Sequence, residues 1–320
     1  MKKLILHKSI FIVLLLIVVF LQSCVKDSNS VVITYPGPSF DGNIKNVYTN
    51  ARDLIKPENI IINCSQENTI NTNKGIRVNI PANSFINTAG VPISGDVNIS
   101  VYVLTKKSEW VSFSQFSNTS DQLIDWYKTL SVQASYNGVA LKLIPGKILT
   151  IQLPEDNPSV NWKLFNGEYI STRTFLTSVS PNGYNFKTWT DNQGVTVKGL
   201  EFPISSLNWI GIGTILPNPP KSQIQINLPA NYYEFNTAVI AVNPADNVIY
   251  YLNNINASSN TFRGYLHTLK NITLVVLSEQ DNSSYYGSKD YYEELTPDTI
   301  IDKEPGQKSI LEIEEYINAL

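Results

Sequence analysis

Cysteine, methionine and histidine are scarce in this sequence. Its 320 residues include two cysteines, one methionine and two histidines. Zinc sites need clusters of cysteine and histidine, and a catalytic triad needs a histidine beside its nucleophile. Only His267 lies beyond the N-terminal region, so neither kind of site is indicated. Because His267 lies near the end of an alternating run, we expect a hydrogen-bonded or exposed structural imidazole there.

Charge is scarce as well. Charged residues make up 16% of the chain, the formal net charge is −3, and no run of lysine or arginine occurs. A protein that binds nucleic acid usually carries a basic stripe or patch that meets the phosphates. The sequence therefore argues against nucleic acid as a partner.

Catalytic motifs are also missing. The sequence has no Gly-x-Ser-x-Gly elbow, no phosphate-binding loop and no dinucleotide fingerprint. Its adjacent acids, at 155–156, 293–294 and 314–315, point apart on a strand or a helix, so no pair forms a catalytic dyad by itself. The calcium pattern Asp-x-Asp-x-Asp is absent. We therefore expect no enzyme activity, no cofactor and no metal.

One long apolar run is present, at the N-terminus. Residues 10–21 are continuously apolar and follow Lys2, Lys3 and Lys8. The run is short for a transmembrane helix and has the layout of a secretory signal peptide, which we predict over residues 1–23. The alternative is an uncleaved membrane helix, which the missing basic cluster downstream disfavours.

The end of this run, Leu21-Gln22-Ser23-Cys24, resembles the lipobox of bacterial lipoproteins in the variant found in Bacteroidetes. The resemblance implies that Cys24 carries a diacylglycerol and an amide-linked acyl chain such as palmitate, which would anchor the chain in the outer membrane. Lys26-Asp27 is similar to the signal for export to the cell surface, although the second acid expected at Ser28 is missing. Cys64 would then have no disulfide partner, and we expect it to be a small buried residue.

The remaining chain has a β-rich composition. Asn, Ser, Thr, Ile, Val and Tyr are abundant, and 16 glycines and 17 prolines are scattered between short apolar runs. We predict a mostly β fold with two β-sandwich-like domains and a short C-terminal helix. The predicted order is a tether (24–43), a first sandwich (44–215), a proline-rich linker (216–220), a second, smaller sandwich (221–295), and a tail with a helix (296–320).

Local patterns predict several elements. A helical turn is expected near 47–53. Strands at 75–80 and 96–103 alternate strictly, and we expect them to pair as an antiparallel unit. Asn166-Gly167 within residues 162–169 indicates a tight hairpin. Ser309 and Glu312 form a capping-box pattern, followed by an apolar stripe that predicts the C-terminal helix.

Residues 75–85 and 90–99, with their Ile-Pro-Ala-x-x-Phe and Gly-x-Pro-x-x-Gly motifs, resemble the opening of a ZU5-like β-sandwich module. The resemblance extends over roughly 75–154 and implies a binding or scaffold role without catalytic residues. The chain departs from the pattern at 125–128, where small residues are expected. Residues 224–233 echo 76–85, which indicates either an internal duplication or two strands that end in the same Pro-Ala-Asn turn.

Aromatic residues are the best ligand-binding candidates. We expect most of the five tryptophans in the core, and each tyrosine doublet with one ring inward and one outward. An exposed cluster that binds a sugar or a protein is predicted from Tyr285, Tyr286, Tyr291 and Tyr292. Separately, Asp298-Thr299-Ile300 is similar to the O-glycosylation acceptor of Bacteroidetes exported proteins, which implies a glycan on Thr299.

These observations predict a lipid-anchored cell-envelope protein that acts as a binding or assembly module at the outer membrane, without catalysis. Its partners would be the membrane, through the anchor, and other envelope proteins or glycans. One alternative is an accessory glycan-binding lipoprotein of a carbohydrate-uptake system. The other, less favoured, is a hydrolase that uses two carboxylates.

Overall fold

The structure is a computed structural model that describes residues 44–117, 123–169, 175–180, 182–191, 193–217, 222–256, 258–280 and 284–320. The predicted signal peptide and tether, with Cys24, lie outside these ranges. Within them the chain is mostly antiparallel β-sheet and ends in a short helix, so the predicted fold class is confirmed.

The described part contains three helices, which are α1 (Lys45–Asp53), α2 (Lys107–Ser112) and α3 (Ile310–Asn318). Its strands are β1 (Glu58–Asn63), β2 (Asn68–Asn71), β3 (Arg77–Ile80), β4 (Phe85–Ile86), β5 (Asp96–Leu104), β6 (Leu123–Tyr136), β7 (Val139–Ala140), β8 (Lys142–Leu143), β9 (Leu149–Pro154), β10 (Trp162–Tyr169), β11 (Phe175–Val179), β12 (Asn185–Thr190), β13 (Thr196–Ile204), β14 (Trp209–Leu216), β15 (Ser222–Asn227), β16 (Thr237–Val242), β17 (Ile249–Asn254), β18 (Thr261–Leu266), β19 (Lys270–Gln280), β20 (Ser284–Glu294), β21 (Thr299–Asp302) and β22 (Gly306–Lys308).

Two sheets form the first sandwich. The first sheet has the order β1-β5-β6-β14-β10-β11, with β7 paired to β6, and the second has the order β12-β13-β9-β3-β2. Alternate residues of both sheets, such as Ile99 of β5 and Val78 of β3, are buried in one apolar cluster between them. Cys64 is free and fully buried there, as predicted, and its thiol donates to the Ile93 carbonyl at 3.3 Å.

The predicted pairing of the strands at 75–80 and 96–103 is wrong. Strand β3 pairs with β2 and β9 in the second sheet, whereas β5 pairs with β1 and β6 in the first. The connection between them carries β4, which pairs with β8, and its Phe85 is fully buried. Both strands bury an apolar face on the same cluster, so they face each other across the core.

The hairpin predicted at Asn166-Gly167 is also absent, because both residues lie inside β10. Strand β10 has a neighbour on each side, so Asn166 is paired with Ile210 of β14 and with Ser178 of β11. The two-residue turn occurs instead at Asn137-Gly138, between β6 and β7. Both of its residues have positive φ, 49° and 77°, as a type I′ turn requires.

The third sheet has eight strands in the order β21-β15-β18-β17-β16-β19-β20-β22 and curls into a half-barrel. The concave side of this curl holds its own apolar cluster, which includes Val239 and Phe262. The opposite face packs against the free face of the first sheet, and the three helices fill the same layer. We call this second layer the shared cluster; Trp110, Trp126, Phe165 and Ile240 are among its members.

Glycine at one position makes the shared cluster possible. A Cβ added at Gly211 of β14 would come within 2.3 Å of the Trp126 ring on the neighbouring strand. The Trp126 ring also packs edge-to-face on Phe165, with ring centres 5.5 Å apart. The bare backbone at Gly211 therefore gives the large indole room between the two sheets.

The decapeptide echo has a local structural counterpart. Asn83 and Asn231, the last residues of the two Pro-Ala-Asn turns, both adopt positive φ, 53° and 77°, a conformation that asparagine tolerates better than most residues. The strands before these turns differ in their surroundings: β3 has antiparallel neighbours, and β15 has a parallel neighbour in β21.

The regions around the predicted linker and tail contribute strands. Leu216, the first residue of the predicted linker, is the last residue of β14 and is paired with Leu123; residues 218–220 lie outside the described part. Two short edge strands of the third sheet, β21 and β22, come from the residues predicted as a tail.

The C-terminal helix forms as predicted. The Ser309 hydroxyl accepts from the Glu312 backbone N–H at 3.2 Å, and the Glu312 carboxylate accepts from the Ser309 N–H at 2.8 Å. These bonds satisfy N-terminal groups that the helix itself cannot pair. Ile313 and Ile317 are fully buried in the shared cluster, so α3 is held to the third sheet by its apolar stripe.

Helix α1 includes the predicted turn and is fixed by a carboxylate from far along the chain. Glu279 of β19 is fully buried and accepts from the Asn46 backbone N–H at 3.1 Å and from the Asn46 side-chain amide at 2.5 Å. A negative group at the N-terminus of a helix is stabilised by the helix dipole. Ile44, Val47 and Tyr48 of this segment are buried in the shared cluster.

We predict that Ile313→Ala lowers the free energy of unfolding by about 2–5 kcal/mol, because it removes a fully buried side chain from the shared cluster. Leu311→Ala is the matched control, since Leu311 lies on the same helix with 66% of its surface exposed, and its effect should stay within about 0.5 kcal/mol. Urea unfolding measures both values. Equal effects of the two substitutions would show that α3 is not packed as described.

A second prediction concerns pH. Burial raises the pKa of Glu279 above its usual value of 4.5, against the opposing effect of the Asn46 hydrogen bonds. The unfolded chain therefore loses this proton first, and the stability contributed by the protonated form is present below pH 4.5 and is lost as pH rises through the raised pKa. The amide side chain in the Glu279→Gln variant cannot ionise.

The advantage in stability of the wild-type protein over Glu279→Gln should therefore shrink as pH rises from 4.5 towards neutrality. Urea unfolding of both proteins at several pH values measures this difference. The exposed Glu315→Gln serves as the control and should follow the wild-type curve. A constant difference between wild type and Glu279→Gln across the range would contradict the assignment.

Candidate functional site

An ionisable cluster lies where the first and third sheets meet. Its members are Lys107 at the start of α2, Asp125 in β6, Asp246 in the turn between β16 and β17, Tyr250 in β17 and His267 just after β18. We call these five residues the polar seam. They come from both sheet systems and are separated by up to 160 positions in the sequence.

His267 is hydrogen-bonded through both ring nitrogens. Its Nε2 lies 3.0 Å from Asp246 Oδ2, and its Nδ1 meets the Tyr250 hydroxyl. The Tyr250 oxygen also accepts from the His267 backbone N–H at 3.1 Å. This agrees with the prediction of a hydrogen-bonded imidazole, and it ties the end of β18 to the neighbouring strand and to the turn that carries Asp246.

Lys107 holds the same turn from the side of the first sheet. Its side chain is almost fully buried, and its ammonium donates to the carbonyls of Asn243 at 2.8 Å and Pro244 at 3.2 Å. Burial lowers the pKa of Lys107, and the negative charges of Asp246 and Asp125 oppose that shift. A buried ammonium is tolerated here because two carbonyl oxygens accept hydrogen bonds from it and the negative charges of Asp246 and Asp125 favour its charged form.

Asp125 also contacts the turn between β16 and β17. Its Oδ1 accepts from the Asn247 backbone N–H at 3.0 Å. Burial raises the pKa of Asp125, the Asn247 bond lowers it, and the nearby Asp246 carboxylate raises it further. One turn of the third sheet is thus held by a cation from α2 and by an anion from β6 of the first sheet, so the arrangement provides positioning and charge balance.

The segment 125–128, where the sequence departs from the ZU5-like pattern, contributes to the contact between the first and third sheets, which we call the joint. Asp125 belongs to the polar seam and Trp126 to the shared cluster. Tyr127 is the extra residue of a β-bulge, because Trp126 is paired with Gly213 and Lys128 with Ile212. Asp125 and Trp126 therefore lie where the first sheet meets the third sheet, whereas Tyr127 packs towards the core of the first sandwich.

A small aromatic cluster, separate from the polar seam, lies at the edge of the first sandwich. Tyr127 stacks on Trp162, with ring centres 4.0 Å apart, and the Lys128 ammonium lies 4.5 Å from the centre of the Tyr127 ring. Glu155 accepts from the Tyr127 hydroxyl and lies 3.5 Å from Lys128. The other four tryptophans are buried, so Trp162 is the one that stays half-exposed.

The three predicted acid pairs lie at different places in the fold. Glu155 is half-buried against Tyr127, whereas its neighbour Asp156 is exposed. Glu293 and Glu294 are both exposed near the end of β20. Glu314 and Glu315 of the third pair lie on α3.

The four predicted ligand-binding tyrosines lie on β20 but not in one patch. Tyr285 packs on the shared cluster, whereas Tyr286 and Tyr292 pack on the concave cluster of the third sheet. Tyr291 alone is largely exposed, at 61%, and its hydroxyl donates to Asn271 at 2.6 Å. Consecutive residues of a strand face opposite sides, so the doublets are split as the pattern implies.

Thr299, the predicted glycosylation acceptor, begins edge strand β21. It is half-buried, and its hydroxyl lies 2.6 Å from the Thr296 carbonyl, to which it donates. Asp298 before it has a positive φ of 60°. The tripeptide therefore begins at a tight turn that leads into the edge of the third sheet.

A further surface escaped prediction from the sequence. On β15 and β18, residues at alternate positions face away from the concave cluster, and no part of the shared cluster covers them. Together with residues of β17 and β21 they form the exposed face of the third sheet. Strict alternation in Gln223-Ile224-Gln225-Ile226-Asn227 is the signal that could have identified it.

Comparisons with known proteins identify no relative. No family model matches the chain, and no curated protein matches it. Among solved structures, a gamma-CGTase from Alkalophilic bacillus clarkii is similar over 78% of this chain at 10% identity, with a TM-score of 0.20. The alignment spans 41% of that protein. A likeness at this level carries no argument about fold or function.

The described residues contain neither a metal-binding group nor a membrane-spanning helix. Among them, no three His, Cys, Asp or Glu side chains group in a way that could hold a metal ion. No helix in this part of the chain has the length and apolar character needed to cross a membrane.

We predict that Lys107→Met lowers the free energy of unfolding by about 1–3 kcal/mol, because the carbonyls of Asn243 and Pro244 lose their buried donor. Lys106→Met is the matched control, since Lys106 is exposed and its substitution should cost less than about 0.5 kcal/mol. Urea unfolding followed by tryptophan fluorescence gives both values. If Lys107→Met unfolds at the wild-type urea concentration, the ammonium does not hold the turn.

Proposed function

We propose that this chain is a lipid-anchored cell-envelope protein that acts as a binding or assembly module at the outer membrane, without catalysis of its own. The lipobox-like Leu21-Gln22-Ser23-Cys24 supports the anchor. The attachment of helix α1 to the folded body is the structural observation that supports the rest.

Helix α1 lies where an anchored chain would enter its folded body. Ile44, the first described residue, is fully buried, and Glu279 holds the beginning of the helix. Between Cys24 and Ile44, residues 24–43 can reach at most about 70 Å when fully extended. A pull through the anchor would therefore act on a helix whose apolar face is buried and whose Asn46 N–H is bonded to Glu279, which suits a module that remains at a membrane while it contacts a partner.

The arrangement of ionisable groups favours contact over bond-making. In the polar seam, Asp246 Oδ1 accepts from the Val248 N–H at 3.1 Å, in addition to its contact with His267. Asp125 accepts from Asn247, and Lys107 donates to two carbonyls. A two-carboxylate hydrolase needs one free acid and one free base on either side of a bond, whereas these side chains are engaged in holding a turn.

The lipid anchor can be tested directly. Mass spectrometry of the full-length protein from native membranes should find an N-terminal peptide that begins at an acylated Cys24, and metabolic labelling with palmitate should mark the protein. Cys24→Ser should abolish the label. Cys64→Ser is the matched control and should keep it, because the Cys64 thiol is buried. An intact Met1 or an unmodified thiol at position 24 would overturn the proposal.

A further inference from the structure

We propose that the exposed face of the third sheet is a binding site for a neutral glycan. The inference deepens the proposed function, since it names the chemical class of partner that the module would hold. The proposed site lies near the edge of this sheet opposite the tyrosines of β20 that the sequence had suggested. The face is built by β21, β15, β18 and the end of β17.

A continuous row of hydrogen-bonded side chains crosses this face. Arg263 Nη2 donates to Gln225 Oε1 at 2.8 Å, and Gln225 Nε2 donates to Asn227 Oδ1 at 3.0 Å. Asn227 Nδ2 in turn donates to Asp302 Oδ1 at 2.9 Å. Each bond fixes the orientation of the next amide, so the row presents its remaining polar atoms in a set arrangement before any ligand arrives. Such preorganisation lowers the entropic cost of binding.

Apolar surface flanks the row. Tyr265 of β18, which is paired with Gln223, has 55% of its surface exposed, and Ile300 of β21, which is paired with Gln225, has 60%. Among the described residues, the side chains of Tyr265, Gln223 and the exposed Asn253 make no hydrogen bond with one another or with a neighbour. They therefore supply one aromatic face and two amides to a ligand.

The first sandwich limits this face on the side of β17. On β17, Ile249 and Tyr251 face the shared cluster, and Asn253 is the next residue on that face and the first one exposed. The binding face is thus continuous with the surface on which the first sheet packs, and the first sandwich limits it. Four strands about 4.8 Å apart give it a width of about 14 Å.

The charged residues of this face favour a neutral ligand. Among the described residues of this face, the charges are one cation, Arg263, and one anion, Asp302, and each is bonded to an amide within the row. An anionic polymer would need an excess of positive charge, and a protein interface would need a larger apolar centre. The centre of this face is made of amides and its apolar groups lie at the sides, which matches a sugar chain, whose hydroxyls take amide bonds and whose rings stack on tyrosine.

Affinity electrophoresis of the full-length lipidated protein in mild detergent tests this inference. The gels contain soluble amylopectin, xyloglucan or galactomannan, with anionic polygalacturonate for comparison. At least one neutral polysaccharide should retard the protein, and Tyr265→Ala should weaken that binding about tenfold. Tyr291→Ala is the matched control, because Tyr291 is an equally exposed tyrosine of the same sheet, and it should bind like wild type. Tyr265→Ala should melt at the wild-type temperature.

Several results would overturn the inference. Retardation by polygalacturonate alone would show that charge governs binding, and no retardation in any gel would remove the neutral glycan. Binding that Tyr291→Ala abolishes, or that Tyr265→Ala leaves unchanged, would place the site elsewhere. None of these results touches the acylation of Cys24, which mass spectrometry decides separately, so failure of this site and failure of the anchor are distinguishable.

Discussion

Both faces of the first sheet are buried, and the other two sheets are held in place by packing on them. One face of that sheet closes the first sandwich, and the other packs on the third sheet to form the shared cluster. Fully burying one large apolar side chain stabilises a fold by about 1.5–3 kcal/mol, whereas one hydrogen bond contributes about 1 kcal/mol net. The shared cluster therefore supplies most of the stability of the joint, and the polar seam supplies its alignment.

This balance explains the division of roles among the residues at the joint. Trp110, Trp126 and Phe165 give the joint its buried area, and Gly211 leaves room for an indole between the strands. Lys107 and Asp125 reach one turn of the third sheet and fix its position. Because the first sandwich covers only part of the third sheet, β15 and β18 keep one face open to solvent.

Short-range signals predicted local elements well. The capping box at Ser309 and the stripe through Ile313 and Ile317 depend on residues only three or four positions apart, and the helix follows them. Alternation likewise predicted strands at 75–80 and 96–103, where β3 and β5 form, because the two faces of a strand meet different surroundings.

Long-range contacts could not be predicted in this way. Asn166-Gly167 has the local form of a turn, but strands distant in the sequence pair with both sides of it and keep it extended. The partners of Lys107 lie 136 and 137 residues away, and those of Glu279 lie 233 residues away. Nothing near these residues in the sequence indicates that they will meet, so the contact between the first and third sheets became visible only in the structure.

We expect the shared cluster to make the two sheet systems one cooperative unit of unfolding. Hydrogen exchange of the full-length protein in low concentrations of urea tests this most directly, with amides of β6 and β16 as probes of the two sides. If the two sheet systems unfold together, both sets of amides open with the same free energy and the same dependence on urea. Exchange of β16 at a lower free energy, while β6 stays protected, would contradict it.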